Sequence, residues 1–183
     1  THAYLIPLME VVDETSNHPQ AVITAPTREL AIQIFDKVKV MQEIKPDLRV
    51  RLFIGGQQRS EDVESLSKGQ PHIVVGTPGR IKDLFLDTGG LRLDLAKILV
   101  VDEVDMTLEF GFLDDIDQCA SRMPEDLQML AFSATMPDQL RPFIRKYMSN
   151  PVTFQIGETV RFNPDIHHVL VPCYHHTFAE TIQ

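Results

Sequence analysis

Short apolar runs alternate along the chain with segments whose apolar residues recur every three or four positions. The apolar runs predict buried strands at 21–25, 50–54, 72–75, 98–101, 128–132 and 152–156. The clearest helical period follows Pro26, where Leu30, Ile34, Val38 and Met41 fall on one face. Further helices are predicted at 60–68, 78–86 and 137–147.

Strands that are apolar throughout and separated by helices indicate a parallel sheet covered by helices on both faces. The predicted fold is therefore α/β, of the doubly wound type. Ligands of such sheets bind beyond the carboxyl ends of the strands. Five polar segments directly follow predicted strands, at 24–29, 55–56, 76–80, 102–105 and 133–135. The sequence therefore predicts one site built from five loops at one edge of the sheet.

An acidic segment, Asp102-Glu103-Val104-Asp105, follows the most continuous apolar run. In a nucleotide hydrolase, the first carboxylate of such a segment can hold Mg²⁺ through water, and the second can orient or deprotonate the attacking water. An acidic turn that merely ends a strand is the structural alternative. Ser133 and Thr135 follow the next strand, where their hydroxyls can bond Asp105 or simply cap the following helix.

Two further segments each join a strand to a helix and carry a hydroxyl, a proline and an arginine. They comprise Pro26, Thr27 and Arg28, and then Thr77, Pro78, Gly79 and Arg80. Exposed amides at a helix start, with an arginine and a hydroxyl, suit a phosphate group. Gly55 and Gly56 let the backbone approach a ligand closely. Taken singly, each of these segments is better explained as a helix cap or a tight turn.

Length and composition indicate one globular domain, since the chain has 183 residues, of which 43% are hydrophobic and 23% charged. No stretch approaches the roughly 20 apolar residues that span a bilayer, and the first residues are not expected to form a signal peptide. We therefore expect a cytoplasmic protein with no membrane partner. Histidine pairs at 167–168 and 175–176 surround Cys173, but their spacing is not that of a metal site, and surface positions explain them better.

Net charge argues against nucleic-acid binding, because it is −9, with a pI of about 5.2. Proteins that contact many phosphates usually carry a basic surface. Any binding of RNA must therefore depend on oriented backbone amides or on parts of the protein outside these residues.

The five segments together resemble the motifs of DEAD-box RNA helicases, in order and in approximate spacing. The segment 26–31 resembles motif Ia, 55–56 the Gly-Gly motif, 77–80 motif Ib, 102–105 motif II and 133–135 motif III. Gly111-Phe112 after motif II adds to the likeness, which extends from residue 1 to about 172. The motifs are individually weak but specific as a set.

The resemblance implies a RecA-like P-loop NTPase domain that uses ATP and Mg²⁺. Asp102 would bind Mg²⁺ through water, Glu103 would activate the hydrolytic water, and Asp105 with Ser133 and Thr135 would couple hydrolysis to RNA release. Motifs Ia, Gly-Gly and Ib would hold the backbone of single-stranded RNA with little sequence preference, bending it so that a short duplex opens. Val104 departs from the family's usual alanine, but it adds no polar atom and activity is expected to survive it.

The resemblance also implies the domain organisation. Residues 1–163 would form the first RecA-like domain, and 164–183 a linker and the possible start of a second such domain in cis, in a monomeric protein. Thr1 resembles the last residue of the family's phosphate loop and would belong to the nucleotide site, and residues 2–8 resemble the helix that follows that loop. Because the loop's glycines and lysine would precede Thr1, these 183 residues alone are expected neither to bind ATP well nor to hydrolyse it.

Two other functions remain open. A DNA helicase or translocase of the same superfamily would share the sheet and the acidic loop, although the motif Ia and Ib sequences favour RNA. A non-catalytic clamp or scaffold would keep the fold without turnover, although the retained Asp102, Glu103, Ser133 and Thr135 argue against it.

Overall fold

A five-stranded parallel sheet forms the centre of the computed structural model, which describes residues 1–156. The strands lie in the order β2-β3-β1-β4-β5, and each neighbouring pair is parallel. Their bounds are β1 Ala21–Thr24, β2 Val50–Phe53, β3 Ile73–Gly76, β4 Ile98–Val101 and β5 Gln128–Ala131. The predicted α/β fold with a parallel central sheet is confirmed.

Alternate residues of the central strands enter two separate hydrophobic clusters. Val22 and Val74 belong to one cluster, and their sequence neighbours Ile23 and Val75 to the other. Side chains alternate between the two faces of a strand, so each cluster is the core on one face of the sheet. Strands β1 and β3 are buried at every position, which explains why they read as continuous apolar runs.

Helices cover both faces. They are α1 His2–Val11, α2 Arg28–Met41, α3 Arg59–Ser67, α4 Pro78–Lys82, α5 Val104–Glu109, α6 Leu113–Ala120 and α7 Arg141–Tyr147. A π-helical turn, Asp83–Asp87, continues α4, and a 3-10 turn, Asp138–Leu140, precedes α7. Helices α1 and α2 pack on the face that contains Ile23, and the others contribute to the core of the opposite face.

The predicted strands and helices agree with the structure to within about one residue up to position 147, apart from two omissions. Sequence analysis missed α5 and α6, because α5 has only six residues and α6 combines three aspartates with a short apolar face. The strand predicted at 152–156 is wrong. Residues 151–156 form no strand, and Val152, Phe154 and Ile156 are 79%, 88% and 100% exposed. An apolar run becomes a strand only when a neighbour accepts its backbone hydrogen bonds, and no described residue does so here.

Residues Thr1–Asn150 form one compact unit, and a second begins at Pro151. The domain boundary predicted at 163–164 and the histidine pairs around Cys173 lie outside the described residues. Within residues 1–156, no helix is long and apolar enough to cross a membrane.

Candidate active site at the carboxyl edge of the sheet

The acidic loop begins at Asp102, directly after β4. Asp102 is only 7% exposed, and its backbone N–H donates to the carbonyl of Thr24 at 3.0 Å, extending the pairing of β4 with β1. Its Oδ2 accepts a hydrogen bond from the Tyr4 hydroxyl at 2.7 Å, and its Oδ1 accepts one from the Glu103 N–H at 3.2 Å. Both oxygens of this buried carboxylate are therefore held by neighbours.

Glu103 has a left-handed backbone, with φ 48° and ψ 56°. A non-glycine residue in this region costs about 1–3 kcal/mol and usually occurs at functional sites. The conformation is stabilised by Thr107, whose N–H and hydroxyl donate to the Glu103 carbonyl at 2.9 and 3.1 Å. It allows β4 to end and α5 to begin within two residues.

Burial raises the pKa of the Glu103 carboxyl, and the neighbouring charges of Asp102 and Asp105 raise it further. A carboxylate with a raised pKa is a stronger base than an ordinary one. The site thus combines a buried carboxylate at Asp102 with a partly exposed one at Glu103 whose pKa is raised.

Motif III is tied directly to the third carboxylate. Oδ2 of Asp105 accepts hydrogen bonds from the Thr135 hydroxyl at 2.7 Å and the Thr135 N–H at 3.0 Å. The Asp105 N–H donates to the Ser133 hydroxyl at 3.3 Å. Burial raises the pKa of Asp105, but the hydrogen bonds from Thr135 and Ser133 outweigh it and hold the pKa below its usual value. The two hydroxyls therefore bond the acidic loop rather than only capping a helix.

Val104 points into the core and is fully buried. Its backbone N–H donates to the Phe132 carbonyl at 2.9 Å, which joins the acidic loop to the end of β5. The side chain therefore fills core volume, and the three carboxylates of the loop are left unchanged.

The oxygen atoms of Asp102 and Glu103 are donors of the kind that suit a hydrated Mg²⁺. No group of three or more His, Cys, Asp or Glu side chains within residues 1–156 is arranged to hold a metal ion. Mg²⁺ that is bound together with phosphates typically has few protein oxygen ligands, and water molecules complete its coordination shell. The repulsion that raises the Glu103 pKa is also relieved by a nearby cation.

The structure places Thr1 beside this loop. Thr1 precedes α1, its carbonyl accepts hydrogen bonds from the N–H groups of Tyr4 and Leu5 at 3.2 Å, and its hydroxyl accepts one from Lys37 Nζ at 3.4 Å. Burial raises the pKa of the Tyr4 hydroxyl, and its bond to Asp102 raises it further, while an interaction with the Thr1 side chain opposes the shift. Thr1, Tyr4 and Asp102 are therefore neighbours.

A second part of the same edge is an open groove that brings three sequence motifs together. Its lining comes from motif Ia, the Gly-Gly motif, motif Ib and one aromatic residue: Pro26, Thr27, Arg28, Glu29, Gly55, Thr77, Gly79, Arg80 and Phe112. Thr27 caps α2 by accepting the Leu30 N–H at 3.2 Å, and Pro78 is in the first turn of α4. Two helices thus begin at the groove.

Arg28 is exposed and lies against the Gly-Gly motif. A Cβ atom at Gly56 would be 2.5 Å from one terminal nitrogen of Arg28, and one at Gly55 would be 3.2 Å from the other. Gly56 also has a φ of 87°, which strains any other residue. The backbone turn therefore favours glycine at position 56, whereas at both positions the contact with Arg28 could be relieved by a shift of that exposed side chain.

Arg80, in contrast, already forms ion pairs and hydrogen bonds with other groups of the protein. Its side chain is 10% exposed, with Nε 3.1 Å from Asp62 Oδ2 and a terminal nitrogen 3.6 Å from Asp83 Oδ2. The contact with Asp62 is an ion pair without hydrogen-bond geometry. Arg80 also donates to the carbonyls of Ile54 and Gln57, on either side of the Gly-Gly motif. It holds that loop against α4.

Three residues of the site were missed from sequence. Tyr4 was missed because its partner, Asp102, is 98 positions away in the sequence. Asp62 was missed because it lies in a polar helix with no recognisable motif. Phe112 was noted only in the Gly-Phe pair and not assigned to the groove. Gly111 has a φ of 76°, and Phe112 follows it at the start of α6, which places the ring in the lining.

Known proteins with similar sequences include DEAD-box RNA helicases. A DEAD-box ATP-dependent RNA helicase CshB of Bacillus subtilis is 48% identical over 177 residues, which cover 96% of this chain and 40% of the relative. The protein of the same description from Bacillus cereus is 47% identical over 178 residues, again 96% of this chain and 40% of the relative. The chain thus spans about 40% of the length of these relatives.

Among solved structures, a DEAD box protein from the hyperthermophile Methanococcus jannaschii is similar, with a TM-score of 0.70 and 35% identity over 79% of this chain and 39% of that one. The DEAD/DEAH box helicase family matches residues 1–143, which include all five motifs identified from sequence. This chain therefore belongs to the DEAD/DEAH box helicase family.

Proposed function

We propose that the whole protein is an ATP-dependent RNA helicase and that the residues described here belong to its first RecA-like domain. One observation carries the proposal: the acidic loop with its motif III partners, and the groove of motifs Ia, Gly-Gly and Ib, lie at the same edge of one sheet. Hydrolysis and nucleic-acid binding would then share a single rigid framework.

In the hydrolytic step, Asp102 would hold a hydrated Mg²⁺, which supplies positive charge to the phosphate oxygens of ATP. Glu103 would accept a proton from the attacking water at its carboxylate, whose raised pKa suits that role. Thr1 would lie at the phosphates, since it adjoins Tyr4 and Asp102. Asp105 would stay ionised as the acceptor for Thr135.

In RNA binding, the groove would receive the sugar–phosphate backbone of a single strand. Amide groups at the start of α2, the Thr27 and Thr77 hydroxyls and the Gly-Gly backbone would face the phosphates. Arg28 would contribute a cation, since no described carboxylate lies within ion-pair distance of it. We assign Arg80 to shaping the groove, because Asp62 and Asp83 already neutralise it.

This arrangement accounts for binding by a chain of net charge −9. A groove that uses amides, hydroxyls and one exposed arginine needs no broad basic surface. Because such contacts are to the backbone, sequence preference would be small. A second RecA-like domain in cis, in a monomeric protein, would complete the nucleotide and RNA sites.

Coupling between the two sites would pass through the chain that joins them. Asp105 is bonded to Thr135 at one end of α5, and Phe112 lines the groove just beyond its other end. Helix α6 then reaches α4 through an ion pair between Asp115 and Lys82 at 2.6 Å. A movement of the acidic loop would therefore shift a groove wall through contiguous packed elements.

The test is hydrolysis of ATP by the full-length protein in the presence of matched RNA and DNA single strands. We expect RNA to stimulate turnover and DNA of the same sequence to do so far less. Equal stimulation by both would favour a DNA helicase or translocase. RNA binding without any turnover would favour the non-catalytic clamp.

A further inference from the structure

We propose that Tyr4 is a positioning residue for the proposed magnesium site: its hydroxyl holds the Asp102 carboxylate in the orientation that a hydrated Mg²⁺ requires. The inference deepens the proposed ATPase function and rests on it. It concerns a residue outside the acidic loop, in the helix that precedes β1.

The hydrogen bond has the geometry of a fixed, buried contact. Tyr4 is 1% exposed and Asp102 is 7% exposed, and the hydroxyl oxygen is 2.7 Å from Oδ2. The Tyr4 ring packs on Phe132, with the ring centroids 5.0 Å apart and the planes tilted by 54°. Packing therefore sets the position of the hydroxyl, and the hydroxyl in turn sets the position of the carboxylate.

Asp102 is restrained at both oxygens. Oδ1 accepts the Glu103 N–H at 3.2 Å, and Oδ2 accepts the stronger bond from Tyr4. Rotation of the carboxylate about its last side-chain bond would break both contacts. Each oxygen keeps unused acceptor capacity, since a carboxylate oxygen has two lone pairs. These remaining lone pairs are the ones available to water molecules around a metal ion.

A fixed carboxylate loses less conformational freedom when a hydrated metal ion binds, so a group that orients it influences affinity. Removal of a partner that orients a directly coordinating residue typically costs 10–100-fold in metal affinity or activity, and the lower end of that range is expected for Asp102, which contacts the ion through water. A phenylalanine at position 4 would fill nearly the same core volume. The hydroxyl alone therefore distinguishes a positioning role from simple packing.

The experiment uses the full-length protein with Tyr4→Phe. Binding of a fluorescent ADP analogue is measured as Mg²⁺ is titrated, and ATP hydrolysis is followed over the same Mg²⁺ range. We expect the Mg²⁺ concentration at half-saturation to rise about tenfold. Binding of the analogue without Mg²⁺ should be unchanged, and excess Mg²⁺ should restore most of the turnover.

Tyr147→Phe is the matched control. The Tyr147 hydroxyl also bonds an aspartate, Asp117 Oδ1, at 2.7 Å, but it joins α7 to α6 away from the acidic loop. This variant should lose a similar amount of thermal stability and leave the Mg²⁺ titration as in the wild type.

Equal Mg²⁺ titrations for the wild type and Tyr4→Phe would overturn the inference, as would equal shifts in both variants. Those results leave the proposed function standing, because the wild type still needs Mg²⁺. Wild-type protein that binds the analogue with no dependence on Mg²⁺ would overturn the proposed function and this inference together.

Discussion

Single residues at this sheet edge combine backbone geometry with charge. Glu103 turns the chain out of β4 in a left-handed conformation, and the bond from Val104 N–H to the Phe132 carbonyl fixes the turn. Non-glycine residues in this strained conformation usually occur at functional sites, which agrees with the catalytic role proposed for Glu103.

Protonation of His72 is expected to lower the stability of the fold in acid. His72 is fully buried, its Nδ1 accepts the Arg49 N–H at 3.0 Å, and its Nε2 donates to the Ser16 carbonyl at 2.8 Å. Burial lowers its pKa, so below about pH 6.5 the unfolded chain binds the proton more readily than the folded one. Stability should be complete above that pH and decline as the pH falls towards 5.

Chemical denaturation between pH 7.5 and 5 measures this effect. His72→Gln should lose roughly 1–2 kcal/mol at pH 7.5, since its amide cannot match both bonds, but its decline with acid should be shallower. The exposed His2, replaced by glutamine, serves as control and should keep the wild-type slope. Parallel pH profiles for wild type and His72→Gln would show that this histidine is not the acid-sensitive group.

At the scale of elements, the pairing of β2 with β3 depends on Gly76. A Cβ atom there would overlap the carbonyl oxygen of Phe53, and neither backbone can move aside easily. Gly76→Ala should therefore cost at least about 2 kcal/mol in the free energy of unfolding. Gly90→Ala is the control, because its nearest contacts would be at an ordinary 3.6 Å, and it should be nearly neutral. Equal stability of the two variants would mean that the strand pairing tolerates the added atom.

The two groove arginines should behave in opposite ways when replaced by alanine. Arg28→Ala should weaken RNA binding by the full-length protein roughly tenfold and leave thermal stability nearly unchanged, because this side chain is exposed. Arg80→Ala should instead destabilise the domain by roughly 3 kcal/mol, since the nearly buried Asp62 loses its partner, whereas Asp83 keeps its ion pair with Arg59.

Fluorescence anisotropy with a labelled RNA strand and thermal unfolding separate these effects. Adding Asp62→Ala to Arg80→Ala should recover part of the lost stability, because it removes the unpaired buried carboxylate. Loss of RNA affinity in Arg80→Ala at unchanged stability would instead indicate a direct contact between Arg80 and RNA.

Sequence patterns predicted the sheet well because its strands are buried on both faces and therefore continuously apolar. The order of the strands brought the five polar loops to one edge, as the parallel fold requires. Contacts between distant positions were not predictable. The Tyr4–Asp102 bond and the enclosure of Arg80 depend on which helices meet, and the apolar run at 152–156 gave no sign that it would have no partner strand among residues 1–156.

At the scale of the whole molecule, the acidic loop and the groove share one sheet edge and are joined by α5 and α6. Because the two regions share this framework, we expect ATP hydrolysis and RNA binding to be coupled. The described residues supply carboxylates, motif III hydroxyls and a groove, and the relatives of this chain extend well beyond it.

RNA-stimulated ATP hydrolysis by the full-length protein, wild type against Glu103→Gln, tests that claim most directly. The substitution keeps the shape of the side chain and removes its ability to accept a proton. We predict that the wild type hydrolyses ATP in an RNA-dependent way and that the turnover rate of the variant is lower by about 100-fold or more, with RNA binding retained. Turnover that is unaffected by Glu103→Gln, or a wild type that binds RNA without hydrolysing ATP, would contradict the account.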